Sequence, residues 1–226
     1  MPVNRTAYQE IMAQMGRATL VAVSKTKPVE DIRALYDLGH RDFGENYVQE
    51  LVAKQPVLPS DIRWHFIGHL QSNKVKYIAP FVHMIHGVDS LKLLQEIHKQ
   101  AAKSSRKIKV LLQVFVASEE TKFGLDETEL RDLLTTYVKG GSPDHVEICG
   151  LMAMASFTEN LQQVRAEFGK ARELFRMAKR EFFAEAPSFS ELSMGMSGDF
   201  AIALEEGSSM VRIGSLLFGE RRSPNA

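Results

Sequence analysis

Thr19–Gly39 reads TLVAVSKTKPVEDIRALYDLG and spells one strand followed by one helix. Thr19–Lys25 is rich in Val and Leu and stays apolar until Ser24 and Lys25, the pattern of a strand buried on both faces. Pro28 stands where a helix opens, since its fixed φ and missing N–H are tolerated in a first turn, and Gly39 stands where that helix closes.

The same alternation runs down the chain. Asp42–Asn46 (DFGEN), Trp64–Leu70 (WHFIGHL), Met84–Asp89, Lys109–Ala117 (KVLLQVFVA), Val146–Met154, Glu191–Met196 and Met210–Phe218 (MVRIGSLLF) read as strands two to eight. Between them lie helical stretches at Tyr47–Gln55, a short piece up to Pro80, a helix capped by Ser90 and reaching about Lys103, Asp126–Val138, Glu159–Phe182, and Phe200–Glu206 ended by Gly207. Leu130, Leu133, Leu134 and Tyr137 mark one face of the Asp126 helix. Leu161, Val164, Phe168, Ala171, Phe175, Ala178 and Phe182 form a stripe on the longest helix, as expected of an outer helix laid on a barrel. Eight strands interleaved with helices predict an α/β fold, a closed (β/α)8 TIM-type barrel spanning 1–226 as one domain. An open doubly wound sheet is the rival arrangement.

Bulk properties narrow the class. The 226 residues carry 28 Lys plus Arg against 28 Asp plus Glu, so no basic excess suggests a nucleic-acid partner. The one cysteine, Cys149, sits in an apolar run and reads as a small buried hydrophobe. Met1–Gly16 mixes polar and apolar residues without the apolar core of a signal peptide, and no run is long enough to span a membrane. The expectation is a cytoplasmic protein. The tail after Gly219 reads as frayed.

Barrels of this type place their ligands at the C-terminal strand ends. That rule selects Lys25, Asn46, His69, Ser197, Gly198, Arg212, Gly214 and Ser215. Met194–Asp199 (MGMSGD) leads from a strand into a helix, where unpaired N–H groups and the helix dipole favour a phosphate. Arg212–Ser215 gives a second small-residue turn, in the other loop where such barrels hold phosphate. Lys25 at a buried strand end would lose solvation, and a neutral amine condenses with aldehydes; a lysine snorkelling to the barrel rim is the plainer alternative. Lys27 shares its parity but precedes Pro28 and is turning out of the strand. Arg212 could equally sit in a barrel-interior salt bridge. The seven histidines form no HExxH pattern, so zinc catalysis is not expected, and His69 reads as a neutral side chain lining a pocket.

The runs VSKTKP (Val23–Pro28), FGENYVQ (Phe43–Gln49), WHFIGHLQSNK (Trp64–Lys74), GLM (Gly150–Met152), LSMGMS (Leu192–Ser197) and VRIGSLLFG (Val211–Gly219) resemble, in order and over nearly the whole chain, the pyridoxal-phosphate homeostasis protein family. That family is itself similar to the N-terminal barrel of alanine racemase. The resemblance implies that pyridoxal 5′-phosphate is held as an imine on Lys25. It further implies that Ser197, Gly214 and Ser215 hold the phosphate, that Arg212 faces the pyridine nitrogen, and that Asn46 lines the pocket. No metal is implied. Where alanine racemase has a tyrosine four residues after its lysine, this chain has Val29; it has no tyrosine after Tyr137, and no second domain is expected. The resemblance therefore implies a protein that buffers or delivers the cofactor, with pyridoxal-phosphate-dependent apoenzymes as recipients and a monomer as the expected state. A small racemase or decarboxylase using the same imine is the alternative, and a sugar-phosphate barrel without covalent chemistry is a third.

Overall fold

The computed structural model describes residues 3–117, 124–140 and 144–219. Eight strands form it: β1 (Thr19–Val23), β2 (Asp42–Glu45), β3 (Arg63–Phe66), β4 (Met84–Val88), β5 (Ile108–Gln113), β6 (Val146–Met152), β7 (Glu191–Ser193) and β8 (Met210–Ile213). They close in sequence order into a barrel, and every adjacent pair is parallel, β8 with β1 included. Closure excludes the open sheet.

The helices are α1 (Arg5–Gln14), α2 (Val29–Tyr36), α3 (Val48–Lys54), α4 (Val75–Ile78), α5 (Leu91–Lys103), α6 (Glu127–Lys139), α7 (Leu161–Phe182), α8 (Phe200–Glu205) and α9 (Ser215–Phe218). Ser90 caps α5 by accepting the Leu93 N–H, and Asp126 and Glu129 form a reciprocal capping box on α6. The stripe on α7 is buried at Val164, Phe168, Ala171 and Ala178, while Leu161 at its start is exposed. Pro28 sits one position before its helix, and Gly39 follows it with φ +94°.

One strand was drawn too long and one helix was not foreseen. Met210–Phe218 is not one strand: β8 stops at Ile213, and Leu217 and Phe218 donate backwards to the Gly214 carbonyl in the turn of α9. A short apolar run carries no period that separates a strand from a helical turn. The unforeseen helix is α1, which the mixed pattern of Met1–Gly16 did not reveal. Ile11 is its one fully buried residue, and the Asn4 backbone N–H donates to Leu217 of α9 at 2.9 Å, so tertiary contact supports it. The tail after Gly219 lies outside the described residues.

Side-chain parity splits the interior into two compartments. Leu20, Ala22, Ile85, Val110, Leu112, Ile148, Leu151 and Val211 share one continuous apolar cluster with the helices. Their alternate neighbours Val21, Met84, Leu111, Cys149, Met152 and Met210 form a separate cluster made only of strand residues. Successive strand side chains point to opposite faces, so this second cluster fills the barrel lumen. Cys149 is buried there, and burial pushes its thiol up to about 12, an inert state.

Candidate functional site

A cleft of about 560 Å³ opens at the C-terminal ends of the strands. Lys25, Asn46, Ser197, Arg212, Gly214 and Ser215 all line it. His69 does not. Its side chain is 63% exposed and lies 3.7 Å from Asp89, because β3 ends at Phe66 and the chain turns away through Gly68.

The segment that carries Lys25 is gripped on both sides. Ser24 points outward, its Oγ donating to Glu45 Oε1 at 2.6 Å. Lys54 Nζ donates to the Ser24 carbonyl (2.9 Å), to Glu45 Oε1 (2.8 Å) and to Glu50 Oε2 (3.0 Å). Thr26 takes the left-handed conformation, φ +63°, and its N–H donates to Glu50 Oε2 at 2.8 Å. Burial pushes the Glu45 carboxyl up, partly offset by Lys54; Glu50 is also penalised by burial, but the Thr26 N–H and Lys54 bring it below its ordinary range. Lys25 thus follows Val21 and Val23 in parity from a fixed backbone. Lys27 lies past the turn and borders the same cleft, and its Nζ donates to the Phe218 and Gly219 carbonyls at 2.8 and 2.9 Å. That amine is tied to the C-terminus of α9.

Arg212 is 4% exposed and, among the described residues, makes no ion pair, so the barrel-interior salt bridge is not what the structure holds. Its Nη1 donates to the Ser193 carbonyl (2.9 Å) and to Ser193 Oγ (2.7 Å), and its Nη2 donates to the Ala153 carbonyl (3.0 Å). All three acceptors are neutral. Burial pushes the guanidinium down to about 10, against the pull of the Asp199 carboxylate. Asp199 also lines the cleft and was missed in the sequence; burial raises its carboxyl, while the Met196 N–H and Arg212 oppose the shift.

Two turns that follow the neighbouring strands β7 and β8 border the cleft. Ser197 and Gly198 precede α8, and Gly214 and Ser215 open α9. A Cβ on Gly214 would lie 3.2 Å from both the Val23 Cβ and the Val23 carbonyl oxygen, so glycine lets α9 start tight against the end of β1.

Behind Arg212 the lumen is polar. Ser193 Oγ lies 3.4 Å from His86 Nδ1, His86 Nε2 lies 2.9 Å from His65 Nδ1, and His65 Nε2 lies 3.0 Å from Asp42 Oδ1. Arg63 closes the far end with Nε on Asp42 Oδ1 at 2.7 Å. A polar residue at an inward strand position, such as His65 between Trp64 and Phe66, is the signal that could have found this chain.

A family model described as "Alanine racemase, N-terminal domain" matches residues 5–222, which defines the class: a barrel of the alanine racemase N-terminal type. Among curated relatives, the "Pyridoxal phosphate homeostasis protein" of Aquifex aeolicus is 44% identical over 91% of this chain and 88% of its own length. The human protein of the same name is 41% identical over 89% of this chain and 76% of its own. The structure of PipY from Synechococcus elongatus with pyridoxal phosphate bound superposes with a TM-score of 0.84 at 34% identity, covering 95% of this chain and 99% of that one. Alanine racemase from Streptomyces coelicolor, at 17% identity and a TM-score of 0.76, shares the fold over 58% of its length. The chain belongs to the pyridoxal phosphate homeostasis protein family.

Proposed function

We propose that this chain binds pyridoxal 5′-phosphate in the cleft, with Lys25 as the covalent anchor, and holds it for buffering or delivery to apoenzymes rather than for turnover. The observation that carries the reading is Arg212: a buried guanidinium among neutral acceptors, lining a cleft that also holds a lysine. The residues present fit the group. Asn46 Oδ1 is buried at the cleft without a hydrogen-bond partner, and two helix starts converge where a phosphate would lie. The PipY structure, at 34% identity, holds this cofactor.

When bound, the cofactor supplies an aldehyde for the Lys25 amine and a ring able to draw electrons from an attached amine. The chain's own groups set how far that chemistry goes. Arg212 has donors and no acceptor, so it keeps the proton off the ring nitrogen it would face and weakens the electron sink. Ser197, Ser215 and the N–H groups beside them would hold the phosphate. No tyrosine lines the cleft among the described residues, so the tyrosine that alanine racemase sets against its lysine has no counterpart there. The cytoplasm as the location, and a monomer as the working form, belong to the same proposal.

The test is incubation of the pyridoxal-phosphate-loaded protein with each common L-amino acid in deuterated water. Substoichiometric or absent α-deuteration is expected. Sustained turnover that disappears in Lys25→Ala would make the protein an enzyme.

A further inference from the structure

The lumen chain behind Arg212 has a direction. The Asp42 carboxylate accepts only: burial opposes its ionisation, but hydrogen bonds from His65 and Arg63 outweigh burial and hold it well below the usual carboxylate range. His65 Nε2 must therefore donate to it. With one proton on each imidazole, a single arrangement satisfies the remaining links. His65 Nδ1 accepts from His86 Nε2, His86 Nδ1 accepts from the Ser193 hydroxyl, and Ser193 Oγ is left to accept from Arg212 Nη1. Every donor points away from the cleft and toward Asp42.

Such a chain has a cost that packing alone does not explain. His65 and His86 are 1% and 0% exposed in a lumen whose apolar part is formed by Val21, Met84, Leu111, Cys149, Met152 and Met210. Aliphatic side chains would fill the same positions without desolvating imidazoles. Burial holds His86 well below the ordinary imidazole range, so it serves as a neutral link and adds no charge beside Arg212.

We propose that His86 and His65 are positioning residues for Arg212: they fix the Ser193 hydroxyl as an acceptor and so hold the guanidinium, through Ser193, in the plane it needs to meet the cofactor's ring nitrogen. The inference rests on the proposed cofactor reading of Arg212. It assigns a role in the cleft to side chains that do not line it, on strands β3 and β4 and, through Asp42, on β2. A leucine at position 86 breaks the chain; a glutamine can both donate to His65 and accept from Ser193.

The experiment uses pyridoxal 5′-phosphate labelled with ¹⁵N in the ring and compares the wild type with His86→Leu, His86→Gln and Ser193→Ala. Retention is measured by equilibrium dialysis, the ring-nitrogen chemical shift by NMR, and folding of the cofactor-free protein by thermal melting. His86→Leu is expected to weaken retention about tenfold, the loss of one hydrogen bond to a charged group, and to move the ring-nitrogen shift. His86→Gln is expected to recover both. Ser193→Ala, which removes the hydroxyl that accepts from Arg212 and donates to His86, is expected to reproduce the leucine effect and keeps the test decisive if His86→Leu does not fold. Wild-type retention and an unmoved shift in folded His86→Leu or in Ser193→Ala would overturn the inference while leaving the cofactor reading intact. Absence of any retained cofactor in the wild type would overturn both.

Discussion

The two compartments of the barrel are built on the same strands and do different work. The layer between strands and helices is continuous and apolar, from Leu20 and Phe43 through Phe168 to Phe218. The lumen is half apolar, and its other half is a polar chain that ends at Arg212 in the cleft. Residues one apart in sequence fall into different compartments, as His65 does beside Trp64 and Phe66. Stability is therefore expected to reside mainly in the outer layer and ligand chemistry in the lumen, and substitutions that alternate along one strand should separate the two.

The largest stability effect is expected in the outer layer. Phe168 is fully buried, and Phe168→Ala should cost about 3–5 kcal/mol in denaturant unfolding through lost transfer energy and a cavity. If the variant folds, its cofactor spectrum should match the wild type; a changed spectrum at preserved fold would break the division of labour.

Next comes the cleft. Ser197→Ala with Ser215→Ala should weaken pyridoxal-phosphate retention without removing covalent attachment, each hydroxyl contributing about 1.5–3 kcal/mol to a charged acceptor. Wild-type affinity in the double variant would move the phosphate out of these two turns.

Acid sharpens the same comparison, because the lumen and its rim hold neutral histidines. Burial lowers His83 to about 4, holds His86 well below the ordinary imidazole value of 6.5, and lowers His40 as well. The unfolded chain then binds more protons than the folded one below about pH 6.5, so stability is lost as pH falls from there toward 4, and Asp42 adds its own loss below 3.8. Glu45 and Asp199, whose carboxyls burial raises, act in the opposite sense and soften the slope. Melting curves between pH 7 and 4 should show the decline, and His86→Gln should flatten it.

The smallest effect is expected at Lys27. Lys27→Ala removes two hydrogen bonds to the end of α9, about 0.5–1.5 kcal/mol each, and should leave the cofactor adduct in place.

What was legible in the sequence follows the same division. The alternation of short strand runs with helices punctuated by Pro28, Gly39 and Ser90 exposed all eight strands, and strand-end logic chose eight residues, of which all but His69 share one cleft. Four features were not legible, each for a physical reason. The helix α1 rests on contact with α9 rather than on its own apolar stripe, and α9 hides inside an apolar run too short to show a period. His69 was placed by extending β3 past Gly68, where the strand has already ended. The lumen chain depends on register: Asp42, His65, His86 and Ser193 meet only because parallel neighbours align their inward positions, as in the pairings Asp42 with Arg63 and His65 with Met84.

The central claim is that Lys25, and not its neighbour two residues on, anchors the cofactor. The most direct measurement is borohydride reduction of the protein loaded with pyridoxal 5′-phosphate, followed by peptide mass mapping of the wild type, Lys25→Ala and Lys27→Ala. The account predicts one adduct on Lys25 in the wild type and in Lys27→Ala, and none in Lys25→Ala. An adduct on Lys27, or one that survives in Lys25→Ala, would contradict it.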